Sequence, residues 1–193
     1  MILRQLFDID TYTYTYLIAS DIGGEAVIID PVRFNIDKYI KILDELDLKL
    51  VAAIDTHTHA DHVTAAGILR EKTNCEIVAG VESKAKCVTK SVKDGDTIDF
   101  GGLSLKAIYT PGHTSDSYSY LLDDKLFTGD VLFIRGTGRT DFQGGSSDDQ
   151  FDSITNKLFS LDDKTIVYPG HDYNGNISST IWEEKNFNPR ISG

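Results

Sequence analysis

The stretch THTHADH, residues 56–62, places three of the chain's five histidines and one aspartate within seven positions. One interpretation is a hydrophilic turn, because Thr58 and Asp61 are typical of turns and helix caps. The other is a metal site, because imidazole and carboxylate groups together suit zinc, iron or manganese. The positions of the other histidines in the predicted fold bear on this choice.

Strands and helices alternate around this stretch. The apolar run at 48–55 predicts a buried strand that ends directly before THTHADH. The alternating stretch 11–20 and the run 25–30 predict an antiparallel pair, with Tyr12, Tyr14 and Tyr16 packed on one face. Helices are predicted at 35–47, 62–74 and 147–160, and further strands at 76–80, 97–100, 103–110, 118–122, 125–129 and 165–170. Two sheets packed face to face, with helices outside, accommodate this order.

Length and composition limit the functional classes. With 193 residues, 40% hydrophobic and 25% charged, the chain is expected to form one globular domain spanning residues 1–193. It has no apolar run of membrane-spanning length and no signal-peptide layout, and Cys75 and Cys87 form no CxxC pair, so we expect a cytoplasmic protein. The net charge of −11 argues against nucleic acid or an anionic membrane as a partner. An anionic substrate would need a local cation.

The remaining histidines follow other predicted strands. His113 in TPGHTSDS and His171 in YPGHDYNG both come after Pro-Gly at a strand end, and Asp130 in FTGDVL follows a further strand. Each alone could be a polar turn residue. Loops at the ends of a rigid sheet are, however, where convergent sites are usually built. The sequence therefore predicts one metal centre from His57, His59, Asp61, His62, His113, Asp130 and His171.

This order of HxHxDH, His, Asp and His resembles the metallo-β-lactamase-fold superfamily over nearly the whole chain. The resemblance implies an α+β fold, an αββα sandwich with the metal site along one edge of the sheets. In the binuclear hydrolases of this superfamily, the first metal takes the positions of His57, His59 and His113. The second takes those of Asp61, His62 and His171, with Asp130 bridging. Water held between the two metals attacks an ester, thioester or phosphodiester.

The stretch DVLFIRGTGRTDFQ (130–143), together with PGHT, PGHDY and NFNPRI, is similar to the persulfide dioxygenases, the mononuclear-iron branch. This resemblance implies oxidation of glutathione persulfide, or another small thiol persulfide, by O2 to sulfite and free thiol. It implies one Fe(II) per chain on His57, His113 and Asp130, a facial set that leaves coordination positions open. His59, Asp61, His62 and His171 would then orient the ligands and hold water.

Arg139 and Asp141 lie within GRTDFQ. Alone, Arg139 could be a surface charge or part of a salt bridge. The resemblance implies a catalytic role, either organising the site through Asp141 or contacting an anionic substrate as the local cation. The chain departs from the family at Thr137, where related members often carry cysteine.

Three functions are compatible with these motifs. The first is the persulfide dioxygenase. The second is a binuclear zinc or iron hydrolase of thioesters similar to glyoxalase II. The helical C-terminal extension of that enzyme is missing from this sequence, which weighs against this alternative. The third is a non-catalytic metal-binding protein. Metal analysis distinguishes them. About one iron per chain would indicate the dioxygenase, about two zinc or iron ions the hydrolase, and no functional requirement for metal the third. Because relatives are often dimers, a homodimer is possible.

Overall fold

The computed structural model describes residues 1–191, arranged as two six-stranded sheets with helices on their outer faces. The first sheet has, in spatial order, β1 (Ile2–Asp8), β2 (Thr13–Ala19), β3 (Glu25–Ile29), β4 (Lys49–Ile54), β5 (Glu76–Gly80) and β6 (Lys90–Val92). The second has β12 (Ser179–Thr180), β11 (Ile166–Pro169), β10 (Lys125–Gly129), β9 (Tyr118–Leu122), β8 (Leu103–Tyr109) and β7 (Thr97–Phe100). The helices are α1 (Ile36–Glu45), α2 (Ala66–Thr73), α3 (Ser147–Asp152) and α4 (Ile181–Phe187). The predicted αββα sandwich is confirmed.

Three clusters of buried apolar side chains correspond to the contacts between these layers. The largest lies between the two sheets, where the rings of Tyr16 and Phe127 have centroids 5.0 Å apart. A second cluster, containing Leu17 and Tyr39, joins the first sheet to α1 and α2. A third, containing Ile181, covers the outer face of the second sheet. Because alternate residues of a strand face opposite sides, Tyr16 and Leu17 of β2 belong to different layers.

The row of tyrosines differs in part from its prediction. Tyr14 and Tyr16 face the core between the sheets as expected. Tyr12 does not share that face: it lies before β2 with a φ of 57° and remains 45% exposed. The left-handed conformation at Tyr12 interrupts the strand alternation on which the prediction was based.

Two helices also differ from their predicted bounds. The helix predicted at 62–74 begins only at Ala66, because residues 63–65 instead pair with the segment after β3: the Ala65 N–H donates to the carbonyl of Pro31 at 2.6 Å. The helix predicted at 147–160 is α3 continued by a π-helical turn, Ser153–Lys157, and a 3-10 turn, Leu158–Ser160. The strands β1, β6 and β12 and helix α4 were not predicted.

Strand directions position the candidate site. In the second sheet, β9 is antiparallel to β8 and β10, and β11 is parallel to β10, so β8, β10 and β11 run in one direction. Their carboxyl ends therefore lie at the same edge. The Tyr118 N–H donates to the Thr56 carbonyl at 2.8 Å, which joins this region to the end of β4 in the first sheet.

Two further predictions concern the whole chain. Both cysteines are free, with Cys75 buried and Cys87 exposed. No helix within residues 1–191 is long and apolar enough to cross a membrane. That residues 1–193 form one domain stays a prediction.

Candidate metal centre

The candidate site is formed by the loops that follow β4, β8, β10 and β11. The loop after β4 contributes His57, His59, Asp61 and His62, and the other three contribute His113, Asp130 and His171. Within these loops, His57, His113 and His171 each place Nε2 within 4 Å of the same oxygen, Asp130 Oδ2. Asp130 is therefore the centre of the arrangement.

His57, His113 and Asp130 form a group in which one potential ligand atom from each residue lies within 4.8 Å of the others. The distance from Asp130 Oδ2 to Nε2 is 3.8 Å for His57 and 3.5 Å for His113. Nitrogen and oxygen ligands bound to one ion at about 2.1 Å lie roughly 3 to 3.5 Å apart. A small inward movement would thus bring all three atoms onto one metal, and their chemistry suits iron or zinc.

A threonine and an aspartate fix the ring of His57. The Thr56 hydroxyl donates to Asp30 Oδ2 at 2.8 Å, so it accepts from His57 Nδ1, which lies 2.9 Å away. This bond places the ring proton on Nδ1 and leaves Nε2 free to face Asp130. Gly129 permits the close packing here, since a Cβ at this residue would lie 2.5 Å from Thr56 Oγ1.

The main chain of the GRTDFQ segment fixes the ring of His113. His113 Nδ1 donates to the carbonyl oxygen of Arg139 at 2.7 Å, which again leaves Nε2 facing Asp130. Gly138 lies directly against both residues: a Cβ there would be 2.1 Å from the Asp130 carbonyl oxygen and 2.9 Å from His113 Nδ1. The Arg139 side chain instead forms an exposed, two-bond ion pair with Asp141, at 2.7 and 2.8 Å.

His171 lies beside Asp130 on the opposite flank. Its Nε2 is 3.3 Å from Asp130 Oδ2 and 3.5 Å from Asp61 Oδ2, while its Nδ1 donates to the Tyr12 carbonyl at 3.0 Å. Asp61 also contacts His62, whose Nδ1 lies 2.9 Å from Asp61 Oδ2. Asp61 and Asp130 are therefore two carboxylates that share one imidazole neighbour.

A second group with possible metal-ligand spacing contains His59, Asp61 and His62. Within residues 1–191, His59 Nδ1 and His62 Nε2 are buried without a hydrogen-bond partner. His59 Nε2, however, lies 3.1 Å from Asp30 Oδ1, which links His59 to the same aspartate that supports Thr56. A third group consists of Asp30, Asp55 and His59.

The buried charges divide the histidines into two kinds. Burial and the neighbouring His59 lower the pKa of His57 to about 3, so that ring is neutral. Burial opposes the charge on His59, but Asp30 raises its pKa to about 10. Burial likewise opposes the charge on His171, but Asp130 raises its pKa to about 9. The pKa of Asp130 is held well below its usual range, because His171 and His57 outweigh burial. His57 thus has the neutral form that binds metals, whereas the carboxylates of Asp30 and Asp130 favour the charged forms of His59 and His171.

A cavity of about 600 Å³ opens on this centre and is lined by Asp61, His113, Asp130 and His171. Its walls include the aromatic rings of Phe133, Phe142 and Tyr173. The Tyr173 ring stacks on that of His171, with centroids 5.9 Å apart and planes 4° apart. We call this space the metal cavity; it is large enough for a small substrate to reach Asp130 and His113.

Asp30, Thr56 and Asp116 support the site but did not emerge from the sequence. Asp116 accepts hydrogen bonds from the hydroxyls of Thr58 and Thr114, at 2.5 and 2.7 Å, and thereby joins the loops that carry His57 and His113. Asp30 directly follows strand β3. The criterion that selected Asp130, an aspartate at a strand end, would have selected it also.

Comparisons with known proteins agree with this architecture. Residues 9–171 match the family model of the metallo-beta-lactamase superfamily. The chain is 41% identical over 195 residues to the mitochondrial persulfide dioxygenase ETHE1 of Bos taurus, an alignment covering 100% of this chain and 76% of the relative. It is 37% identical over 165 residues to the probable polyketide biosynthesis zinc-dependent hydrolase BaeB of Bacillus velezensis, covering 83% and 73%.

Structural similarity gives the same result. The crystal structure of ETHE1 from Myxococcus xanthus superposes with a TM-score of 0.97 at 51% sequence identity, covering 100% of this chain and 85% of that one. The fold, the clustered histidines and aspartates, and these full-length similarities lead to one assignment. The chain belongs to the metallo-beta-lactamase superfamily and, within it, to the persulfide dioxygenase family.

Proposed function

We propose that this protein is an iron-dependent persulfide dioxygenase that oxidises glutathione persulfide, or another small thiol persulfide, with O2. The products are sulfite and the free thiol. The observation that carries the proposal is the convergence of His57, His113 and Asp130 within 4.8 Å beside the metal cavity. Two histidines and one carboxylate with open positions are typical of non-haem Fe(II) oxygenases. The bovine relative is named a persulfide dioxygenase, which supports the same reaction, and the bacterial structure carries the same name, ETHE1.

In this proposal His57, His113 and Asp130 hold one Fe(II) per chain. The bound iron supplies redox chemistry with O2 that the side chains lack. The protein orients the ligands: the Thr56 hydroxyl fixes His57, and the Arg139 carbonyl fixes His113. His59, Asp61, His62 and His171 surround this set, and aromatic side chains form part of the cavity wall.

The direct test is oxygen uptake by iron-loaded protein. We expect uptake only when a thiol persulfide is added, with one sulfite formed per O2 consumed, because both oxygen atoms enter the terminal sulfur. The remaining oxygen and protons of sulfite come from water. Hydrolysis of a glutathione thioester is measured on the same preparation. Rapid thioester hydrolysis without persulfide-dependent oxygen uptake would replace this proposal with the binuclear hydrolase.

We also propose that the Arg139 side chain, held by Asp141, contacts the anionic substrate. Arg139→Ala should retain the fold and most of the iron, because His113 is bound by the main-chain oxygen at 139 and not by the guanidinium. The expected loss in kcat/KM is about 10-fold, the order of one charged hydrogen bond. Arg139→Lys should restore it only partly, since lysine keeps the charge but not the planar fork. Unchanged kinetics in Arg139→Ala would refute a role for the side chain.

Two finer features stay predictions. A homodimer is expected from the resemblance of the chain to its family. The cytoplasmic location is expected from the sequence alone, and the bovine relative carries the word mitochondrial in its name.

A further inference from the structure

Each histidine of the proposed metal group is followed in the chain by a threonine, His57 by Thr58 and His113 by Thr114. The hydroxyls of both threonines donate to the carboxylate of Asp116, at 2.5 Å from Thr58 and 2.7 Å from Thr114. The Thr58 N–H also points at this carboxylate, at 3.5 Å. His57 follows a strand of the first sheet and His113 a strand of the second. One side chain therefore joins the residues next to two metal ligands from different sheets.

The surroundings of Asp116 favour a role in the site over a role in folding alone. Asp116 is 7% exposed, and within residues 1–191 it forms no ion pair with an N···O distance of at most 4.0 Å. Burial opposes its charge, but hydrogen bonds from Thr58 and Thr114 lower its pKa, so the carboxylate is ionised at neutral pH. A buried charge without an ion pair costs free energy of folding unless hydrogen bonds compensate for it.

The other supports of the two histidines act mainly on their rings. The Thr56 hydroxyl orients His57, and a main-chain carbonyl orients His113, so that the ring centroids lie 4.8 Å apart at 90°. Two nitrogen ligands reach one ion only at the correct loop separation, because ligand atoms on one ion lie roughly 3 to 3.5 Å apart. The hydrogen bond from the Tyr118 N–H to the Thr56 carbonyl is one link between the loops. Asp116 supplies a second, at the residues adjacent to the ligands.

We propose that Asp116 is a positioning residue for the metal. Through Thr58 and Thr114 it holds the loops of His57 and His113 at the separation at which both rings bind one ion. Asp116 thereby raises the affinity for metal without being a ligand. This inference rests on the proposed function only for the identity of the ligands, and it does not depend on the reaction with O2.

The first test is the affinity of metal-free protein for Zn²⁺, measured by competition with a coloured chelator well below the melting temperature. Asp116→Ala should lower this affinity by about 10- to 100-fold, the range for partners that orient a metal ligand. Asp8→Ala is the matched control. Asp8 is also 7% exposed and accepts from the Thr11 hydroxyl at 2.7 Å, but neither residue is next to a proposed ligand. The zinc affinity of Asp8→Ala should equal that of the wild type.

The two threonines provide a test that a merely structural role would not pass. A link between two loops is broken when either arm is removed, and valine keeps the shape of threonine without its hydroxyl. Thr58→Val and Thr114→Val should therefore each lower the zinc affinity, and the double variant should lose no more than either single variant. In the Asp116→Ala background, each valine substitution should change the affinity by less than about 2-fold, because its partner is already absent.

Additive losses from the two threonines would refute the proposal, because each threonine would then act on its own histidine. This comparison in the wild-type background decides the matter if Asp116→Ala does not fold. Unchanged zinc affinity in a folded Asp116→Ala variant with a lower melting temperature would also refute it, since Asp116 would then serve the fold alone. If iron-loaded wild type consumes no O2 with a persulfide but the threonine losses are non-additive, the proposed function is wrong and the positioning role stands.

Discussion

Asp130→Ala is expected to lower the affinity for iron by more than about 100-fold and to abolish persulfide-dependent oxygen uptake. Partners that only orient a metal ligand already contribute about 10- to 100-fold in affinity or activity, so loss of a ligand should cost more. Asp130 Oδ2 lies within 4 Å of Nε2 in His57, His113 and His171, so no other carboxylate takes the same central place among the described residues. Iron content and oxygen uptake are measured on the same preparation.

Asp61→Ala is the matched control for this prediction. Asp61 is also a carboxylate, and its Oδ2 lies 3.5 Å from His171 Nε2, close to the 3.3 Å of Asp130. Because Asp61 is outside the group formed by His57, His113 and Asp130, its loss should leave most of the iron bound. Equal loss of metal from both variants would mean that the group of His59, Asp61 and His62 is needed, as in a binuclear hydrolase. Asp130→Asn, which preserves side-chain volume, guards against misfolding of the alanine variant.

The sequence predicted the convergence of these residues because of a simple rule. His113, Asp130 and His171 each follow a strand by one to four residues, and β8, β10 and β11 run in one direction. Strand ends that share a direction in one sheet must lie at the same edge. The alternation and apolar runs that located these strands depend only on which residues face the core.

Features that depend on contacts distant in sequence were not predicted. Strand β1 lacks strict alternation, and its place is set by pairing with β2 over the whole of Ile2–Asp8. Helix α4 is short, and its Glu184 is buried by contact with Arg135, 49 residues earlier. No local sequence pattern indicates contact partners that lie this far away along the chain. Helix α2 was predicted to begin too early for the same reason, since the bonds that occupy residues 63–65 come from residues 31–33.

The roles within the site were also beyond the local pattern. HxHxDH gives four possible ligands in one loop, but spacing alone does not say which rings face the same oxygen. The structure separates them through hydrogen bonds: Thr56 turns His57 towards Asp130, while Asp30 holds His59 at 3.1 Å. The sequence likewise placed Arg139 near the site but gave no sign that its carbonyl oxygen, and not its guanidinium, holds His113.

Replacing iron with zinc is expected to abolish persulfide-dependent oxygen uptake while leaving the fold intact. Zinc suits the same nitrogen and oxygen ligands and generally binds such sites more tightly than Fe(II), so zinc should occupy the His57, His113 and Asp130 group. Zinc has no redox chemistry, so this form can polarise a bond or activate water but cannot take part in oxidation by O2.

The comparison uses one preparation divided into metal-free, iron-loaded and zinc-loaded portions, with melting temperature as the control for folding. Both metals should raise the melting temperature above that of the metal-free protein, because a ligand that binds only the folded state stabilises it. Oxygen uptake and sulfite formation should appear in the iron-loaded portion alone and return when zinc is removed and iron restored. A zinc-loaded protein that consumes O2 would contradict the proposed chemistry. The hydrolase would instead be favoured if the zinc-loaded protein hydrolyses a thioester faster than the iron-loaded protein oxidises persulfide. Activating water requires no change in the metal's oxidation state, so zinc can support hydrolysis.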